Sequence, residues 1–244
     1  MQDDSITPAP VAPASGDGFL ARLGAIISSP GKAMEWVRVA PRWVTAGLVI
    51  MAATGLFSAA TMHIAGPEQL EIMKETKLGR LVTSEDHAAQ MARAENPSIA
   101  KRVVQFLSAA AGIWTATFIA ALVYLLFTRL AGGTGTLKQV LGVVFWAGII
   151  STGLGSLVRL PLVLAKGSVI EVSTGLGLLV EPNPLSLSYM TLNSFDLFSL
   201  WSVAVTSIGF EKIHGFSRGK AAVVTIVPWA LMTAVVIGIT MAII

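Results

Sequence analysis

Apolar positions along this chain gather into four long runs without a formal charge: Trp43 to Met62 (20 residues), Val103 to Thr128 (26), Gln139 to Val158 (20) and Ala221 to Ile244 (24). At about 1.5 Å per residue, each reaches across a hydrocarbon core about 30 Å thick. A fifth run holds only 14 uncharged residues between Asp196 and Glu211. Written as a helix from Ser194 to His214, it is 21 residues and about 31 Å long. Asp196 then lies in the first turn, where the helix dipole favours an anion, and Glu211 lies beside Lys212 and His214, which offset its place at the negative end. The pattern predicts an all-α fold, a polytopic membrane bundle with five transmembrane helices at about 43–65, 103–129, 137–159, 194–214 and 220–243.

Outside these runs the writing changes. Residues 1–17, "MQDDSITPAPVAPASGD", lack the basic region and apolar core of a secretory signal and predict a disordered, uncleaved tail. In 18–42, Phe19, Leu20, Leu23, Ile26 and Ile27 follow helical spacing, and Lys32, Trp36, Arg38 and Arg42 mix cations with an aromatic. An N-terminal amphipathic helix in the headgroup layer reads this way, as does a soluble helix packed on a partner. Residues 67–102 carry six Lys/Arg and six Asp/Glu. They predict solvated helices, with Thr83 or Ser84 as a cap, Glu85 and Asp86 in the first turn and Pro97 opening the helix of the second span. "RLAGGTGTLK", 129–138, lacks the Gly-Lys-Ser/Thr of a phosphate loop and predicts a tight turn with Thr136 capping the third span. The loop 162–193 either dips back into the interface or folds over the bundle.

Composition agrees with lipid as the solvent. The 244 residues are 54% hydrophobic and 13% charged, with mean hydropathy +0.72, against about 25% charged in soluble domains. The net charge of +3 comes from scattered Lys and Arg, which argues against a nucleic-acid partner. Absence of cysteine excludes disulfides, thiolate metal sites and Cys nucleophiles. With the amino terminus inside, nine Lys/Arg fall on the inner side and eight on the outer, so the positive-inside rule gives only a slight bias towards that orientation.

Few residues invite chemistry. Arg159 closes the third span and Asp196 opens the fourth on the same side, which predicts an ion pair fixing the two helices; two separately solvated charges are the alternative. Glu211 and His214 share a helical face, but the second Glu-x-x-His and further carboxylates of a di-iron site are missing. His63, His87 and His214 lie far apart, and no hydrolase motif occurs. No catalytic, cofactor-binding or metal residue is therefore expected. The first span carries Gly47, Gly55 and Ser58, and the third carries Gly148, Ser151, Thr152, Gly153, Gly155 and Ser156. These small faces predict close packing inside the bundle or a homo-oligomer seam. Pro228, inside the fifth span, predicts a bend near Val224.

Three stretches in order, "ISSPGKAMEWVRVAPRW", "AGGTGTLKQVLGVVFWAGI" and "SFDLFSLWSVAVTSIGF", resemble the Yip family of Ypt/Rab-interacting membrane proteins. The likeness is strongest at Phe195, Asp196, Leu197, Phe198, Leu200 and Trp201, followed by Gly209, and it extends from about residue 19 to 244. It implies a five-helix membrane domain with a cytoplasmic amino terminus, and the short tail and compact loops look like the prokaryotic branch, in the inner membrane. It carries no catalytic residues. The sequence thus leads to a non-enzymatic integral membrane protein, embedded in the lipid bilayer, that organises or recruits components through an unknown membrane or cytoplasmic protein partner or as a homo-oligomer. The runner-up is a small permease or an accessory subunit of an export system, which needs a polar path through the bundle; a lipid-acting enzyme comes third.

Overall fold

A computed structural model describes residues 18–76 and 84–243. The expected tail, 1–17, and Thr83 as a cap lie outside the described residues. Within them the chain is helical, without a strand and with one isolated bridge between Gly175 and Asp196. Two short helices, α1 (Phe19–Ser28) and α2 (Pro30–Val39), precede α3 (Trp43–Glu75), α4 (Ser84–Glu95) and α5 (Ile99–Leu130). The third apolar helix is composite: α6 (Leu137–Gly148), a π-helical segment (Ile149–Leu154) and α7 (Gly155–Lys166). A 3-10 turn (Leu176–Leu179) and α8 (Leu187–Asn193) lead to α9 (Leu197–His214) and α10 (Arg218–Ile243). Among the described residues, four helices are long and apolar enough to cross a membrane: Trp43–Glu75, Ile99–Leu130, the composite Leu137–Lys166, and Arg218–Ala242.

Several ends differ from the sequence reading. Segment 18–42 is two helices, broken where Ser29 precedes Pro30 at the first helical position, a place that suits proline because no N–H is needed there. α3 runs ten residues past 65 through Pro67, and α7 passes Pro161 to reach Lys166; a proline costs a helix one bond and a clash, not its continuation. α10 likewise continues through Pro228. α5 opens at Ser98, whose hydroxyl accepts the Lys101 N–H, and Thr136 forms a full capping box with Gln139 on α6.

α3 and α5 lie antiparallel and are joined by polar side chains as well as apolar ones. Trp114 Nε1 donates to the Gly47 carbonyl (2.9 Å), Gln105 Nε2 to Ser58 Oγ (2.7 Å) and Arg102 Nη1 to the Ala59 carbonyl (2.7 Å). A Cβ at Gly47 would fall 2.8 Å from Trp114, and one at Gly55 2.6 Å from Phe106. The small face of the first span is thus consumed inside the bundle. Trp43, Trp114, Phe118 and Phe145 then close one level of the core, every pair of rings 5.4 to 6.0 Å apart. Exposed Val, Ile and Leu on the outer faces of α5 and α10 complete a lipid-compatible surface.

The amino-terminal helices are built into this bundle. Ala33, Met34 and Val37 of α2 are buried, and Gly142 and Gly209 provide the room: a Cβ on Gly142 would press on Val37 and Pro41, and one on Gly209 would press on Val143 and Met34. Between α2 and α3 the chain turns through Arg42 at φ 39°, so the carbonyls just before it have no helical partner. Three side chains serve them. Gln139 Nε2 donates to the Arg38 carbonyl (2.8 Å), Arg22 Nη1 to Ala40 (2.6 Å) and Trp146 Nε1 to Pro41 (3.0 Å). Arg22 is 1% exposed and lies over the Trp146 ring, 5.9 Å from its centroid. Hydrogen bonds from a charged donor are worth about 1.5–3 kcal/mol. Arg22→Met, which keeps the apolar stem, should therefore destabilise the protein in detergent by an amount in that range; an unchanged unfolding midpoint would leave the clamp without energetic weight.

Candidate functional site

A cavity of about 260 Å³ opens in the middle of the bundle. Its wall is written in hydroxyls: Ser151 and Thr152 on the π-helical segment, Ser199, Ser202 and Thr206 on α9, Thr117 and Tyr124 on α5. Trp229 and Met232 of α10 and Ile50 of α3 supply apolar surface. On α9 the three hydroxyls follow spacing of three and four residues, and on α5 the pair is seven apart, so each helix presents one polar stripe inward. The spacing of those stripes is present in the sequence, but within helices this apolar the hydroxyls blend into a uniformly greasy pattern.

The π-helical segment makes the cavity. Six residues with i→i+5 pairing widen the third span and free backbone groups that side chains then satisfy. Ser202 Oγ donates to the Ala147 carbonyl (3.0 Å), linking α9 to α6. Arg159 reaches back along its own helix, with Nε to the Gly155 carbonyl (3.2 Å) and Nη2 to Ser151 (3.4 Å). Ser202 and Thr206 spend their protons on backbone carbonyls, which leaves their lone pairs as acceptors. Tyr124 differs: it is 6% exposed, packs its ring on Phe210 at 5.3 Å, and its hydroxyl makes no hydrogen bond among the described residues.

The predicted ion pair is not made. Asp196 is the N-cap of α9, outside its first turn, accepting the Ser199 N–H (2.9 Å) through Oδ1 and the Thr174 hydroxyl through Oδ2. Arg159 serves backbone carbonyls, although Gly155 brings it and Phe198 to the same spot. The physical reason is that α9 begins at Leu197: a residue at the cap position is committed to the helix's own N–H groups. Asp196 also joins the preceding loop to the bundle, since Leu176 N–H donates to Phe195 and Leu197 N–H to Thr174. Glu68, at the far end of α3, holds the same loop by accepting Ser168 Oγ (2.5 Å) and Val169 N–H (2.9 Å).

The remaining sequence candidates are scattered. Trp201 is half-buried against the core, and Pro228 lies one residue before the cavity wall. Glu211 faces Arg218 (3.9 Å), whereas His214 Nδ1 accepts the Gly135 N–H (2.9 Å) and stacks on Phe216, so the two do not form a joint site. Gly153 meets only Ile149 of its own helix and lies in an apolar groove of about 400 Å³ between α1, α3 and α7.

The Yip1 domain family matches residues 24–239. The chain is 28% identical over 201 residues to membrane protein YknW of Bacillus subtilis (strain 168), covering 80% of each chain. No solved structure matches.

The cap role of Asp196 has a measurable signature. Asp196→Ala should cost about 1 kcal/mol of stability, and Asp196→Asn, which can still accept the Ser199 N–H, should cost less. Reversing the charges at Asp196 and Arg159 together should give additive losses; recovery in the double reversal would restore the ion pair.

Proposed function

This chain belongs to the Yip1 domain family, and on that premise we propose that it is a non-enzymatic integral membrane protein that organises or recruits other membrane components. The observation that carries this reading is the way α2 is mounted. Ala33, Met34 and Val37 fix it to α6 and α9, while Lys32, Glu35 and Arg38 stand on its outer side. Glu35 and Arg38 pair with each other (2.5 Å) and Lys32 lies over Trp36 (5.2 Å). A short charged helix held rigidly at the end of a membrane bundle loses little further entropy when a partner docks. Gly153 and its open groove supply a second contact surface within the bilayer, for a homo-oligomer or a membrane partner.

In this reading α9 is a fifth span. Its 18 residues give about 27 Å of helix, bounded by the Asp196 cap and by Gly215 at φ 66°. The amino terminus then lies in the cytoplasm of a prokaryote with α1 and α2 at the inner face of the membrane, as the slight Lys/Arg bias favours. The hydroxyl-lined cavity favours a second reading, a transport-associated protein. The mutually packed rings of Trp43, Trp114, Phe118 and Phe145 close the core on one level and weigh against a continuous path.

Both points can be tested. The native chain has no cysteine, so single cysteines at Glu181 and Ser217 report topology directly. Impermeant thiol reagents should reach them from opposite sides of the membrane; labelling from one side would give a four-span protein. After mild solubilisation at native expression, affinity purification should recover a specific partner or a homo-oligomer, reduced by charge reversal at Glu35 and Arg38 or by Gly153→Leu. Monomer alone, with nothing crosslinked, would remove the organising role.

A further inference from the structure

The geometry points to a binding site for an uncharged glycerolipid of the diacylglycerol type, with its free hydroxyl in the central cavity and a chain lying along α10. This site does not depend on the organising role. Tyr124, only 6% exposed, carries a hydroxyl with no hydrogen-bond partner among the described residues, and it lines a cavity whose other polar side chains, Trp229 apart, are hydroxyls. Tyr124 meets the cavity and no protein partner among the described residues pairs its hydroxyl, so a ligand that brings its own hydroxyl gains by pairing with it.

Depth selects for an uncharged head. Tyr124 lies six residues before the end of α5 and Thr206 eight before the end of α9, two helices that finish on the same side of the bundle, so these two hydroxyls lie about 9–12 Å below that end, and Ser199 carries the hydroxyl lining further inward. A phosphate there would need a cation beside it; no charged residue lines the cavity, and Arg159, which reaches the wall residue Ser151, is spent on the Ser151 and Gly155 carbonyls. Trp229 is a wall shared with a second space of about 430 Å³, bounded by Phe195, Ala230, Ala234, Ile237 and Gly238. That groove runs towards the carboxyl end of α10, the opposite direction from Tyr124. Hydroxyl pocket and groove therefore adjoin at Trp229 and follow each other along the bundle axis. Trp229 packs edge-on to Phe195 (5.8 Å), and its indole N–H makes no hydrogen bond among the described residues. It offers a donor at the junction, where an ester carbonyl would lie.

The test uses the full chain in nanodiscs with a photoactivatable diacylglycerol and a phosphatidic acid bearing the same chains. The diacylglycerol should label the α10 peptide from Trp229 to Met241 saturably, and the phosphatidic acid at least about tenfold less, because no charged residue lines the cavity and Arg159 is already held by two carbonyls. Tyr124→Phe and Thr152→Val, which remove hydroxyls at near-constant volume, should each weaken binding by about three- to tenfold. Ala234→Trp should fill the groove and abolish labelling. Equal labelling by both lipids, or diacylglycerol labelling unchanged in the Tyr124→Phe/Thr152→Val double variant, would overturn the site; the two near-isosteric variants keep it open to refutation if Ala234→Trp misfolds.

Discussion

Hydrocarbon offers no partner to a backbone carbonyl, and that constraint shapes this molecule wherever its helices are interrupted. One interruption is the corner from Arg38 to Pro41, where three carbonyls are met by Gln139, Arg22 and Trp146 from two other helices. Because the donors come from α1 and α6, satisfying the corner also assembles the amino-terminal helices onto the bundle. The same device recurs at the π-helical segment, through Ser202 and Arg159, and at the Gly-rich turn, where Arg129 donates to the carbonyls of Gly133 (3.0 Å) and Gly135 (2.8 Å). Arg159, which a linear reading assigns to an ion pair, is spent on the backbone instead.

This division of labour explains what could be read from the letters. The four long apolar helices, the Thr136 cap and the acids Glu85 and Asp86 in the first turn of α4 are local signals, encoded within a few residues, and the structure contains each of them. The Ser29–Pro30 start of α2 is equally local and is written in "SSPGK". Hidden from the sequence were matters decided between helices: that Arg159 would turn to carbonyls of its own helix, that Asp196 would be taken by a cap, and that Gly209 exists to admit Met34 and Val143. The predicted ends at 65 and 159 also fall short of the helices. Pro67 and Pro161 punctuate the sequence, yet α3 and α7 each continue through them.

The cavity shows how function and stability share residues. Ser202 both tethers α9 to α6 and lines the polar space; Thr206 satisfies its own helix and still offers lone pairs inward. The Tyr124 hydroxyl has no such structural employment among the described residues, which sets it apart from these two. Rigid ends, a closed aromatic level and a polar chamber describe a protein whose interior is specialised locally while its surface remains generic for lipid.

The π-helical segment reaches beyond the chamber it opens. One extra residue in a turn advances everything after it by about 100° around the helix axis, so α6 and α7, though parts of one continuous rod, are out of phase. A helical wheel drawn through 137–166 superimposes two different faces, mixing the core side of one half with the lipid side of the other. Read as one uniform α-helix, the span looks scrambled in its hydrophobicity, when the shift comes from the wider turns of Ile149–Leu154.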